Sequence, residues 1–338
     1  MHPKQHSILH RIGVYCKKFA LGFVLICTQL TLNSASAQTS EPSEQTIQQA
    51  TALLKQGVSA AHKGDFQQAI RNYTQVIALI PNDAAAYYNR GIAYNDLKDY
   101  ASAISDYTQA IALDPSFSEA YHNRGNTYSD LKDHSSAIHD FTQAIALDPK
   151  YAKAYLNRGL AYNDLKDYSS AIRDFTQAIA LDPNYAEAFN NRGNAYNNLK
   201  DYSSAIRDYT QAIALNPNDA VSHYNRGSTY NDLKDYSSAI RDYTQAIALK
   251  PNDAMAYNNR GSTYSDFKDY SSAIRDYTHA IAINPNYANA YGNRGLAYSN
   301  LKDYSSAIRD YTQVIALNPN YTNAFGNRGL AYSNLKDY

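Results

Sequence analysis

Residues 84–117 read AAAYYNRGIAYNDLKDYASAISDYTQAIALDPSF. Small or apolar side chains at Tyr87, Gly91, Tyr94 and Leu97 recur at helical spacing. A second run, at Tyr100, Ala103, Ile104, Tyr107, Ala110 and Ile111, repeats that spacing. Lys98-Asp99 separates the runs and places Asp99 to cap the second, which Pro115 ends. The stretch predicts a helix–turn–helix.

The same unit returns along the chain. Proline falls at Pro81, Pro115, Pro149, Pro183, Pro217, Pro251, Pro285 and Pro319, a period of 34 residues. A fixed period of that size means stacked units that each pack on their neighbours, rather than one core. Such a stack has no unique cleft, so function becomes a question about its surface.

The unit resembles the tetratricopeptide repeat at Tyr87, Gly91, Tyr94, Ala103, Tyr107, Ala110 and Pro115, and the resemblance runs from about residue 50 to 338. The Asn89-Arg90-Gly91 triplet and its copies look like a bacterial subtype of that family. The resemblance implies an all-α, right-handed superhelical solenoid that binds protein partners and is not an enzyme. The sequence divides into an expected signal (residues 1–37), a polar linker (38–49), eight repeats (50–321) and the first helix of a ninth (322–338). The first repeat diverges, with Lys55-Gln56 where later ones have Asn-Arg, as terminal units do. Mid-helix glycine at the Gly91 column costs about 1 kcal/mol against alanine, so close approach of the paired helix is expected there.

The N-terminus reads as an export signal. Basic residues end at Lys17-Lys18, an apolar stretch runs from Phe19 to Leu32, and Ala35-Ser36-Ala37 precedes Gln38. The apolar run is short for a membrane span. A periplasmic or secreted protein is expected, with no membrane insertion once the signal is cleaved; the alternative is a signal retained as an anchor. Both cysteines, Cys16 and Cys27, lie in the signal, so disulfides play no part in the remainder.

The whole chain has 31 basic and 31 acidic residues, but Lys4, Arg11, Lys17 and Lys18 belong to the signal. The remainder has 27 against 31, about −4, which argues against nucleic acid as a partner. His62, His122, His134, His139, His223 and His279 fall in different columns of the repeat, so no metal site is expected. No nucleophile motif or phosphate loop occurs, and no cofactor is expected.

Arg90 and its copies are matched by Asp106 and its copies on the facing helix, while the first repeat has neutral Gln56 and Asn72. The joint loss of both charges predicts an ion pair inside each repeat. The asparagine column (Asn89, Asn123, Asn157, Asn191, Asn225, Asn259, Asn293, Asn327) is the best candidate for function. Through the resemblance it corresponds to a ladder on the concave face that grips an extended peptide, and an amide offers donor and acceptor together. An alternative is that each asparagine bonds a neighbouring repeat.

The repeats differ mainly in columns headed by Ala85, Tyr88 and Ile92, spaced to share one helix face, whereas the Thr108 and Ala112 columns are constant. The changing columns suit pockets beside a constant ladder, with Tyr88, Tyr224 and Lys153 as further contacts; the alternative is drift on an unconstrained surface. Asp96, Asp130, Asp164, Asp232 and Asp266 make that face mildly acidic. A basic or neutral peptide is therefore expected over an acidic tail. Rival readings are a spacer binding through its ends or convex face, and the accessory array of a larger, glycosyltransferase-like enzyme. The final half repeat reads as a tolerated cap or a truncated gene, with a docking site for another copy, by self-association, or for another protein as the alternative.

Overall fold

The computed structural model describes residues 42–336 as seventeen helices, with no strand among the described residues. The signal expected at residues 1–37 lies outside them. The chain divides into two compact units at residues 181 and 182.

The first unit contains α1 (Glu44–His62), α2 (Phe66–Leu79), α3 (Ala84–Asp96), α4 (Tyr100–Leu113), α5 (Ser118–Asp130), α6 (His134–Leu147), α7 (Ala152–Asp164) and α8 (Tyr168–Leu181). The second contains α9 (Ala186–Asn198), α10 (Tyr202–Leu215), α11 (Ala220–Asp232), α12 (Tyr236–Leu249), α13 (Ala254–Asp266), α14 (Tyr270–Ile283), α15 (Ala288–Asn300), α16 (Tyr304–Leu317) and α17 (Thr322–Lys336). Odd-numbered helices are the first of each repeat and even-numbered helices the second. Within each unit every helix packs on the next in sequence, which makes the molecule an all-α solenoid of helix–turn–helix repeats.

Each repeat is locked by a ring against a glycine. The aromatic side chain of the second helix (Tyr107, Phe141, Phe175, Tyr209, Tyr243, Tyr277, Tyr311) is buried beside alanines such as Ala103 and Ala110. Each such ring contributes on the order of 2 kcal/mol of apolar burial. A Cβ built on Gly159 would lie 2.6 Å from the Phe175 ring, so only glycine admits this approach. The helix-propensity cost at that column is offset by packing.

The turns are set by local chemistry. Asp99 accepts a hydrogen bond from the backbone amide of Ser102, the capping role expected of it. The preceding lysine adopts a left-handed backbone in seven repeats, with φ of 61–64° at Lys98, Lys132, Lys166, Lys200, Lys234, Lys268 and Lys302. Gly64 takes the corresponding turn in the first repeat with φ 79°. The first helix starts earlier than its sequence suggests. Residues 44–49 belong to α1, because Ser43 caps it by accepting from the Thr46 amide, and not to a linker.

Candidate functional site: the first-helix face

The arginine column fixes how neighbouring helices meet. Arg90 donates from Nε to Asp106 Oδ2 at 2.7 Å and from Nη2 to Asp106 Oδ1 at 2.8 Å. The same two-pronged pair forms at Arg124–Asp140, Arg158–Asp174, Arg192–Asp208, Arg226–Asp242, Arg260–Asp276 and Arg294–Asp310. The ion pairs read from the sequence are therefore present. The arginine side chains are 14–18% exposed and the aspartates 2–10%, so these pairs act in a largely desolvated setting.

The third prong explains a column that the sequence left without a role. Arg90 Nη1 donates to the Thr74 hydroxyl of the preceding repeat at 3.0 Å. Arg124, Arg158, Arg226, Arg260 and Arg294 do the same to Thr108, Thr142, Thr210, Thr244 and Thr278. The hydroxyl donates its own proton to the carbonyl four residues back, as Thr108 does to Ile104, which leaves its oxygen free to accept. The constancy of threonine thus has a structural cause. Each of these six arginines joins its own second helix to the one before.

The asparagine column is tied along the array within each unit. Asn123 Nδ2 donates to the Tyr88 hydroxyl at 2.8 Å, and Asn259 Nδ2 to the Tyr224 hydroxyl at 2.6 Å. Asn157 Nδ2 reaches Asn126 Oδ1 at 2.7 Å and His122 Nε2 at 3.1 Å. Asn225 Nδ2 reaches Asn190 and Asn194, and Asn293 Nδ2 reaches Asn258. The acceptors belong to the Tyr88 and Ile92 columns of the repeat before. The varying columns therefore determine whether the next asparagine is held.

Where those columns are apolar or glycine, the amide has no such partner. Asn89 follows Leu54 and Val58; it is fully buried, and both of its side-chain polar atoms lack a partner. Asn327 follows Gly292 and Leu296 and is half-buried, as is Asn191.

Two expected contacts are closed to a ligand. Asn89 has no exposed surface, and Tyr88 is 2% exposed because its ring packs 4.6 Å from Phe117. His122 is closed in the same way against Tyr151. Lys153 is exposed and Tyr224 half-buried, with its ring against Tyr243.

The face of the second unit is the more open. Val221 and Met255 occupy the same column of α11 and α13 and are exposed, as are Asp232 and Asp266. Partial burial raises the Asp232 carboxyl above its ordinary value. Asn225 and Asn293 hold no hydrogen bond at Oδ1, and neither oxygen is a buried, unpartnered atom. With their amide protons engaged, these side chains present acceptors.

Among the described residues no group of three or more His, Cys, Asp or Glu side chains is placed to hold a metal ion. No described helix is long and apolar enough to cross a membrane.

A stack of interlocked helix pairs with a regular polar face is the form of a protein-interaction scaffold. The family model described as tetratricopeptide repeat matches residues 84–117, 118–151, 152–185, 186–219, 220–253, 254–287 and 288–321, and a second TPR repeat model matches 61–98. The chain belongs to the tetratricopeptide-repeat family, whose arrays bind protein or peptide partners and are generally non-enzymatic.

Similar solved structures include MamA, 28% identical over 51% of this chain and 94% of that one, with a TM-score of 0.47. YrrB, described as a TPR protein with an unusual peptide-binding site, is 21% identical over 56% of this chain and 97% of its own, with a TM-score of 0.49. The APC/C hetero-tetramer Cut9–Hcn1 is 19% identical over 79% of this chain and 52% of that one, with a TM-score of 0.55, a likeness of fold alone. No curated relative matches the chain.

Proposed function

We propose that the first-helix face of the second unit binds an extended segment of a partner protein rich in hydrogen-bond donors and apolar side chains. The observation that carries this reading is the orientation of the asparagine amides. Asn225, Asn259 and Asn293 direct Nδ2 into the array, and Asn225 and Asn293 have Oδ1 free. A row of acceptors beside Asp232 and Asp266 selects peptide N–H groups and basic side chains. Exposed Val221 and Met255 offer apolar contacts on the same face. Asn327, whose amide is free at both ends, can pair with a complete peptide group.

The test is fluorescence anisotropy with labelled extended peptides of basic, neutral and acidic composition. Basic peptides carrying apolar residues are expected to bind more tightly, and binding should fall with salt. A variant combining Val221→Ser, Met255→Ser, Asp232→Asn and Asp266→Asn changes exposed side chains only and should lose about tenfold in affinity. Equal binding of acidic peptides, or undiminished binding by that variant, would refute the reading.

The export reading belongs with this proposal. A protein cleaved after Ala37 would carry the array into the periplasm or the medium of a bacterium. Protein recovered from that compartment should begin at Gln38, and a retained Met1 there would argue against cleavage.

A further inference from the structure

Two tyrosines share one column of the array and differ in what covers them. Tyr88 is closed: the Phe117 ring packs 4.6 Å from it and leaves it 2% exposed. His122, in the same column, is closed by the Tyr151 ring at 4.7 Å. In both cases the cover is the residue just before the next first helix. For Tyr224, in the second unit, that position is held by Asp253. The Tyr224 ring packs edge-on against Tyr243 at 5.6 Å, and its hydroxyl accepts from Asn259 Nδ2. Among the described residues no ring takes the place that Phe117 has on Tyr88, and Tyr224 stays half-buried.

Asp253 caps α13 with one oxygen and keeps the other for a cation. Its Oδ1 accepts from the amides of Met255 and Ala256 at 3.0 and 3.2 Å. Its Oδ2 meets Lys250 Nζ at 3.4 Å, and that lysine is 65% exposed. The cap one repeat earlier, Asp219, has both oxygens taken, by the amides of Val221 and Ser222 and by the Ser222 hydroxyl. There the tyrosine position is held by Asn190, so no ring stands beside the carboxylate. Burial raises the Tyr224 phenol above its ordinary value, and Asp253 and Tyr287 add to the effect. Burial and then Asp253 raise Tyr287 as well. The three groups lie close together, and the field beside the ring favours a positive charge.

We propose that the uncovered side of Tyr224, with Asp253 at its edge and Tyr287 beside it, seats an arginine side chain of the bound segment. The seat lies on the face proposed above for extended segments and depends on that reading. The chain uses the same chemistry inside its own repeats. Arg260 lies over the Tyr257 ring at 5.6 Å while paired with Asp276, and Arg294 lies over Tyr291 at 5.6 Å while paired with Asp310. The ring offers its negative face and the carboxylate supplies the counter-charge. At Tyr224 the ring and the carboxylate come from this chain and the guanidinium comes from the partner. Lys250 holds Asp253 through a flexible, exposed ammonium, and such a pair gives way readily to a planar guanidinium that also stacks. An aromatic occupant would complete the stack as Phe117 does, but would leave the carboxylate unused.

The experiment adds labelled extended peptides to the 338-residue chain and follows anisotropy. Two peptides are compared, alike except that one carries a single arginine and the other citrulline, its uncharged isostere. The arginine peptide is expected to bind about tenfold more tightly. Asp253→Asn keeps an oxygen for the cap and removes the charge. It should erase the preference and leave the citrulline peptide unchanged. Tyr224→Phe keeps the ring and should retain most of the preference, whereas Tyr224→Leu should lose it. Equal binding of the two peptides, or a preference that survives both Asp253→Asn and Tyr224→Leu, overturns the seat and leaves the reading of the face in place. So does an Asp253→Asn variant that weakens both peptides alike, which marks the aspartate as structural. Failure of every peptide to bind overturns the seat and the face together.

Discussion

At the scale of single residues, His122 is the most informative position. Burial holds its imidazole down to a pKa of about 4, and nearby Lys153 adds to the effect. The tautomer that fits the two shorter contacts keeps the proton on Nδ1, facing Asn123 Oδ1, while Nε2 accepts from Asn157 Nδ2. A second proton would set N–H against N–H. In the unfolded chain the ring protonates near its ordinary value of 6.5, so between 6.5 and 4 the unfolded state binds more protons. Stability therefore falls as pH drops through that window, by on the order of 3 kcal/mol at its lower edge, and this group adds no further loss below it. His122→Asn should remove that slope, since asparagine occupies the same column at Asn190 and Asn258. Urea midpoints between pH 4 and 7 decide the matter; parallel curves for parent and variant would refute the assignment.

At the scale of elements, the three-pronged arginine should matter unequally at its three contacts. Asp242→Ala leaves Arg226 largely buried without its carboxylate, a loss of about 3 kcal/mol. Thr244→Val removes one acceptor from Arg260 and should cost about 1 kcal/mol. Denaturation midpoints of the two variants test the order, and a larger loss for the threonine change would contradict it.

The sequence made the first of these contacts legible, because Gln56 and Asn72 show both charges vanishing together. It did not show the second. Thr108 meets Arg124 across a repeat boundary, and a constant column gives no variation to interpret. The clue available was spacing, since threonine precedes arginine by 16 residues, as arginine precedes aspartate. The asparagines were legible as a ladder but not in their orientation. That depends on partners 31 or 35 residues earlier, in columns that vary. The helix-to-helix turn was legible from Asp99, whereas the left-handed lysine before it was not, because lysine has no intrinsic preference for that conformation.

At the scale of the whole molecule, stability is a sum over neighbours and cannot be uniform. Ala324 and Ala331 are the buried residues of α17, while the interior first helices bury the glycine column as well. Hydrogen exchange should therefore be fastest in α17 and slower in α11–α14. Uniform protection along the second unit would contradict this.

The staple of arginine, aspartate and threonine has a genetic consequence. Removal of residues 220–253 would bring Arg260 to Thr210, the hydroxyl that Arg226 now uses, while Arg260 keeps Asp276. The scaffold would close over the deletion with that staple restored. Asn259, however, would meet Asn190 and Asn194 in place of the Tyr224 hydroxyl. Recombination between near-identical repeats can thus lengthen or shorten the protein in whole steps that leave the fold intact and rewrite the face it shows to partners.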